Sequence, residues 1–335
     1  MVQHRGGLRK ENSQGNSGVI LNEHKIEILR EEHYIVKEIG LSGDAPKQFI
    51  HAYFYTKDSK VKKGFSSSWI KYISKTAAKW YPHEPLIEYM INRVGQELNL
   101  PMNEVRLVFA NGQLRFLSKY FLNRDQKLIH GAEICGQHLG DMNLADEIAN
   151  NRKTSRELFT FEFISGAIKS VFPETAEILT SNFVEMLVFD AIVGNNDRHF
   201  YNWGVIHTIR KSKALPNFAP IYDSSRGLLW NHTDDRIVKD YVNESSKFKN
   251  YLESACPRVS IEADKGINHF QLVSFIFNNF ASYKEAITNL ITEDNEKKVL
   301  KMIDSEFQIF FVPDRLKITK LILKKRFEKL RDITS

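Results

Sequence analysis

Gly194-Asn195-Asn196-Asp197-Arg198-His199-Phe200-Tyr201-Asn202-Trp203-Gly204 sets a carboxylate and a carboxamide five residues apart beside an Arg-His pair. A third oxygen ligand follows in Ala219-Pro220-Ile221-Tyr222-Asp223. Asp and Asn oxygens are hard ligands, suited to magnesium held against phosphates. Phosphoryl transfer asks for one carboxylate near the acceptor hydroxyl, a second oxygen on the metal and a separate Asp on the metal. This region can supply all three. A polar turn with helix-capping Asp and Asn would account for Asp-Arg-His alone. It leaves Asn202, Asp223 and the flanking apolar runs without a reason.

The surroundings argue for one site. Phe183 to Val193 is strongly apolar and reads as a buried helix ended by Gly194. The polar run then lies in the loop beyond. Trp203 to Ile206 reads as a short strand, and Asn217 to Tyr222 as a second one. A hairpin joining them would bring Asp223 beside Asn202.

The rest of the chain provides a frame for that loop. Its 335 residues suit two lobes, and 42% apolar with 26% charged content marks a globular protein. No run approaches the roughly 20 apolar residues of a membrane span, and the polar N-terminus has no apolar signal core. Cys135 and Cys256 make no disulfide or zinc framework, so a reducing cytoplasm is the expected location. The net charge of +6 comes with no nucleic-acid motif. DNA contact is therefore expected only indirectly, through a partner.

Residues 1–24 are rich in Gly, Asn, Ser and charge and read as a flexible arm. Residues 25–122 mix short strands with one helix. Phe49–Tyr55 and Trp69–Ile73 are strand candidates, and Glu84–Asn99 carries an apolar stripe of Leu86, Met90, Val94 and Leu98. Glu104–Phe109 and Gln113–Tyr120 form a hairpin about Asn111-Gly112. Helical patterns dominate residues 123–335. A small mixed lobe ahead of a large helical one is a bilobal α+β arrangement. Leu316, Leu323, Phe327 and Leu330 form a final helical stripe with Lys and Arg opposite, read as a docked terminal helix or a surface for an acidic partner.

Two further features suggest a nucleotide. Gly40-Leu41-Ser42-Gly43-Asp44-Ala45-Pro46-Lys47 precedes a strand, and its small residues would let backbone amides approach phosphates. Taken alone it is a Gly/Pro turn. Lys71 lies in the middle of Trp69-Ile70-Lys71-Tyr72-Ile73, where it either faces solvent or points into a cleft. A strand lysine paired with a helix glutamate, Glu88 or Glu84, is how kinases orient the α- and β-phosphates.

Together, Asn-Asn-Asp-Arg-His-x-x-Asn-Trp-Gly and Ala-Pro-Ile-Tyr-Asp resemble the catalytic and metal loops of HipA-like serine/threonine kinases, including the short HipT- and CtkA-like members. These are related in fold to phosphatidylinositol kinases. The resemblance covers about residues 34 to 230. It implies a bilobal protein-kinase-like fold, ATP and Mg2+ as cofactors, Asp197 as catalytic base, and Asn202 and Asp223 as metal ligands. It implies Lys71 and Glu88 as the catalytic phosphate-orienting pair. Ser42, Gly43, Lys47, Lys119, Phe121 and His199 become nucleotide-binding candidates, with Ser118–Leu122 as the adenine hinge. Ser42 matches a serine that is autophosphorylated in the family. Gly40 stands where some relatives have another serine.

The resemblance further implies a toxin kinase of a toxin-antitoxin system. The expected substrate is a protein, an aminoacyl-tRNA synthetase being the first candidate. A small antitoxin partner would replace an N-terminal subdomain that longer relatives carry. A lipid kinase shares the loop pattern, but the segment after Asp223 holds a single arginine. A non-catalytic ATP- or nucleic-acid-binding regulator would leave the full set of catalytic residue types unused.

Overall fold

The computed structural model describes residues 7–10, 20–37, 39, 47–54, 69–77, 81, 83–209, 214–242 and 245–335. Its first half is built on strands β1 (Glu27–Ile28), β2 (Tyr34–Lys37), β3 (Lys47–Ala52) and β4 (Ile70–Thr76), helix α1 (Glu84–Glu97), and strands β5 (Val105–Ala110) and β6 (Gln113–Lys119). These strands form one six-stranded sheet in the order β1-β5-β6-β4-β3-β2. All its pairings are antiparallel except β1 with β5. The β5–β6 turn is the expected one: Asn111 and Gly112 both take positive φ, 49° and 67°. A two-residue hairpin turn of that twist requires this.

The second half opens with β7 (Gln126–His130), followed by α2 (Gly131–Leu139), α3 (Met142–Asn150), α4 (Arg152–Leu158), α5 (Phe161–Val171) and α6 (Ala176–Val193). Next come β8 (Gly204–Thr208) and β9 (Asn217–Phe218), which join β7 in a three-stranded sheet of order β7-β8-β9. Helices α7 (Asp234–Tyr241), α8 (Ser246–Ser254), α9 (His269–Asn279), α10 (Lys284–Leu290), α11 (Glu293–Phe307) and α12 (Pro313–Asp332) complete the chain. This is the α+β, two-lobed arrangement the sequence implies. None of the described helices is long and apolar enough to cross a membrane.

Two cores hold it together. The smaller is built on the sheet by Ile50, Ala52, Tyr72, Val108 and Leu117. Leu8 belongs to it at 3% exposure, with Asn111 donating to its carbonyl, so part of the expected loose arm is docked. The larger core spans the helical half and includes Leu86, Met90, Val94 and Leu98. The apolar stripe of α1 therefore faces the second lobe, although α1 lies between strands of the first. Arg93 of α1 reinforces this by pairing with Glu306 of α11 at 2.7 Å. Burying such a stripe is worth about 1.5–3 kcal/mol per large side chain. α1 is thus fixed to the helical half and carries its glutamates to the junction.

The terminal helix is docked, as its stripe suggests. Leu323, Phe327 and Leu330 are buried. So is Arg326, whose guanidinium donates to Ala191 O and Leu252 O at 2.5 and 2.6 Å. A cation there also complements the negative end of the α6 dipole.

Candidate active site

α6 ends at Gly194, whose φ of 68° is the left-handed cap expected of glycine. The chain then runs as an irregular loop from Asn195 to Trp203, held chiefly by Arg198, which is 2% exposed. Its guanidinium donates to both carboxylate oxygens of Asp190 at 2.8 and 2.9 Å. It also donates to Asn202 O at 3.1 Å, Tyr222 O at 2.6 Å and Ser224 Oγ at 2.7 Å. One side chain therefore ties helix α6, the Asp197–Asn202 loop and the Asp223 segment together. Asn195 adds a bond to Asp190, and buried His269 of α9 meets Asn195 O at 2.8 Å.

The β8–β9 hairpin does what its spacing suggests, pairing Val205 with Phe218. Its second strand is only two residues long. Ile221 leaves it to bridge Met102 ahead of β5, so the approach to Asp223 is anchored on the first lobe as well. Asp223 takes a φ of 54°. The left-handed region is tolerated by Asp far better than by most side chains.

Asp197, Asn202, Asp223, His199, Lys47, Lys119 and Phe121 all line one cleft of about 530 Å³ between the lobes, as do Glu84 and Glu88. The amide nitrogen of Asn202 donates to Asp197 O at 3.1 Å. His199 uses Nδ1 to accept from Tyr201 N–H at 3.2 Å, a loop-shaping contact, and burial lowers its pKa. Ser42 and Gly43 lie outside the described residues.

One expectation is corrected. Lys71 is exposed, with its ammonium 5.8 Å from the Tyr120 ring centre, and the lysine that meets Glu88 is Lys75, at 2.7 Å. β4 runs on to Thr76, three residues beyond the apolar stretch that marked it in the sequence. Side chains alternate along a strand, so positions 71, 73 and 75 share a face. Lys71 shares that face but stands four residues, about 13 Å, before Lys75 along the strand. Cross-strand register sets Lys47 of β3 directly opposite Lys75. Both reach Asp223: Lys75 Nζ at 2.7 Å and Lys47 Nζ at 3.4 Å.

The two glutamates of α1 divide the work. Glu88 pairs with Lys75, while Glu84 lies 3.5 Å from Arg226 beyond Asp223. Burial penalises the Lys75 ammonium, but Asp223 and Glu88 outweigh it and raise its pKa. Burial likewise raises Glu88 against the pull of Lys75. Asp223 keeps a quarter of its side chain exposed to the cleft. Burial would raise its pKa, yet Lys75 and Lys47 hold it well below the usual carboxylate range.

The segment expected as a hinge is bonded to its neighbours. Lys119 donates its N–H to Glu104 O and accepts from Asn103 through its carbonyl, and Tyr120 N–H donates to Lys71 O. Phe121 and Leu122, just beyond, line the cleft.

Two residues not singled out in the sequence flank Asp197. Arg258 Nη2 sits 2.5 Å from Asp197 Oδ1, and Arg226 Nε lies 3.9 Å from Oδ2. No local pattern marks Arg258, which lies 61 residues away in the chain.

The HipA-like C-terminal domain model matches residues 39–287. This chain belongs to the HipA-like family. Its fold is that of a kinase: the crystal structure of the Helicobacter pylori proinflammatory kinase CtkA superposes at a TM-score of 0.65. That pair is 16% identical and aligns over 85% of this chain and 92% of the other. HipA from Shewanella oneidensis MR-1, solved with HipB and operator DNA, is 12% identical at a TM-score of 0.49, covering 89% of this chain and 68% of that one. That likeness is too distant to carry an argument. No curated protein matches the chain. In this HipA-like protein Asp197, Asn202, Asp223, Lys75 and Glu88 therefore meet in the cleft of a kinase fold.

Proposed function

We propose that this protein is an ATP- and magnesium-dependent protein serine/threonine kinase. The observation that carries the reading is the Glu88–Lys75–Asp223 chain of ion pairs in one cleft with Asp197 and Asn202. A strand lysine tied to a helix glutamate is poised for the α- and β-phosphates. Lys47 stands beside it, where it can add charge at the phosphates.

A carboxylate and a carboxamide oxygen suit magnesium, which keeps several waters and is bound largely through substrate phosphates. Asp223 fits: it is ionised, reaches the cleft, and has one oxygen held only loosely, 3.4 Å from Lys47. Asp223 and Asn202 would hold the ion, which would offset the charge of the phosphates. Asp197 orients the acceptor hydroxyl and takes its proton. Arg198 holds Asp197, Asn202 and Asp223 in register without touching the substrate.

The acceptor is a protein hydroxyl rather than a lipid. Leu228 and Leu229, which follow Asp223, are wholly buried, so they offer no apolar face to a membrane. Family membership supports a toxin kinase held in check by an antitoxin partner, with autophosphorylation at Ser42 as its own restraint and an aminoacyl-tRNA synthetase as the first substrate to try.

Incubation with γ-labelled ATP should label the protein itself or a partner, and Asp197→Asn or Asp223→Asn should abolish labelling. Full transfer by either variant would overturn the mechanism. Phosphoproteomics after brief induction, set against Asp197→Asn, should reveal the acceptor, and peptide mapping without phosphate at Ser42 would remove the autophosphorylation claim.

A further inference from the structure

We propose that Arg258 is a further catalytic residue: its guanidinium binds the transferring phosphoryl group from the acceptor side of the cleft. This rests on the kinase reading and names a role that the Asp-Arg-His loop leaves vacant.

A phosphoryl transition state spreads negative charge over three equatorial oxygens, and a cation close to them lowers its energy. The loop residues beside Asp197 do not provide one. Arg198 is turned inward, with every nitrogen of its guanidinium bonded to Asp190, Ser224 or the backbone carbonyls of Asn202 and Tyr222. Lys75 and Lys47 sit at Asp223, at the nucleotide end. Arg226 stacks on Trp230, with its guanidinium 3.7 Å from the ring centre, and leans toward Glu84 at 3.5 Å.

Arg258 differs from all of these. It lines the cleft, and its contact with Asp197 uses Nη2 alone. Its Nε is buried and meets no hydrogen-bond partner among the described residues. A buried donor without a partner is costly unless a ligand supplies one.

The geometry supports contact with the reacting atoms. Nη2 is 2.5 Å from Asp197 Oδ1. An acceptor hydroxyl served by that carboxylate lies within about 3 Å of it. The phosphorus it attacks is about 3–3.5 Å further on. A small rotation of the guanidinium fork then brings its remaining N–H groups to the phosphoryl oxygens. In the transfer itself, the acceptor O–H bond breaks and its proton goes to Asp197. The new O–P bond forms as the bond from the γ-phosphorus to the bridging oxygen breaks, and ADP leaves with that electron pair. Arg258 exchanges no proton and offsets the charge throughout.

The segment bearing Arg258 is built to hold it still. Arg156 of α4 donates to the carbonyls of Pro257, Lys265 and Ile267, which bracket the segment. Ser260 returns a hydrogen bond to Arg156 O, and its own carbonyl accepts from Phe161 N–H at 2.9 Å. Catalytic electrostatics depends on such fixed donors.

The test compares wild type, Arg258→Gln and Arg258→Lys for phosphate transfer, and for binding of ADP with and without aluminium fluoride, which mimics the phosphoryl in flight. Arg258→Gln should lower kcat about 100-fold while KM for ATP moves less than about threefold. It should bind ADP like wild type but lose the gain that aluminium fluoride brings, and Arg258→Lys should recover part of both. An Arg258→Gln enzyme with unchanged kcat and an unchanged aluminium fluoride gain overturns the inference. So does one that loses ADP affinity to the same degree, since Arg258 would then only support the fold. If wild type neither transfers phosphate nor binds ADP, the kinase reading fails first and this inference falls with it.

Discussion

The two ends of the cleft hold their acids in different ways. At the end proposed for the nucleotide, Asp223 is held by Lys47 and Lys75 from neighbouring strands of the first lobe, and Lys75 also meets Glu88 of α1. At the end proposed for the acceptor, Asp197 is held by Arg226 and Arg258, both from the helical half. The first arrangement exists only while the lobes are together. The second belongs to one lobe, braced by Arg156 and by His269 beneath Asn195. The difference suggests that nucleotide binding reports on lobe closure, while acceptor chemistry is prepared in advance.

Arg198 is the joint between the ends, so its loss should have the largest effect. Arg198→Met leaves Asp190 charged and buried at 1% exposure, and strips Tyr222 O of a donor. Breaking a buried ion pair in this way costs about 3–5 kcal/mol. Denaturant unfolding should show a loss of that order. A loss below about 1 kcal/mol would mean the two ends are held together by something other than this guanidinium.

Lys75→Met should come next, and it acts on one end alone. Phosphate transfer should fall about 1,000-fold, worth about 4 kcal/mol of barrier, with the acceptor end unchanged. Retention of more than a tenth of the activity would show that Lys47 suffices.

Acid should weaken the acceptor end through His269. Burial lowers its pKa to about 3 from an ordinary 6.5. The neutral ring is the folded form, so as pH falls below 6.5 the unfolded chain takes up the proton first. Its contribution is complete above that pH and is lost at up to about 1.4 kcal/mol per unit on the way down. Unfolding at pH 7 and pH 5 should therefore differ by about 2 kcal/mol from this site, and His269→Gln should shrink the gap. An equal gap in the variant would assign the acid sensitivity elsewhere.

The two ends also differed in how far the sequence disclosed them. Asp197, Asn202 and Asp223 were legible because they lie close in the chain, next to an apolar helix and a hairpin whose periodicities are plain. The two-lobed order was legible for the same reason. Arg258 was not, since nothing local distinguishes it from any loop arginine; only the packing of the segment between α8 and α9 brings it to Asp197. Nor did the pattern show that α1 buries its stripe against the second lobe, because an apolar stripe does not name its partner.

Lys75 was concealed by composition. Ser74-Lys75-Thr76 is polar and looks like the end of a strand, yet all three residues are buried. Lys71, amid apolar neighbours, drew attention while standing in solvent. The smallest expected effect follows from this contrast. Lys71→Met removes a charge from the same face of the same strand as Lys75, about 13 Å away, where its ammonium lies over the Tyr120 ring. An exposed cation–π contact is worth about 0.5–1 kcal/mol, and the phosphate site is out of its reach. Transfer rate and KM for ATP should both stay within about twofold of wild type, against the thousandfold loss expected at Lys75. A comparable loss at both positions would mean that β4 slides between two registers. The cleft would then take up its catalytic lysine only on closing.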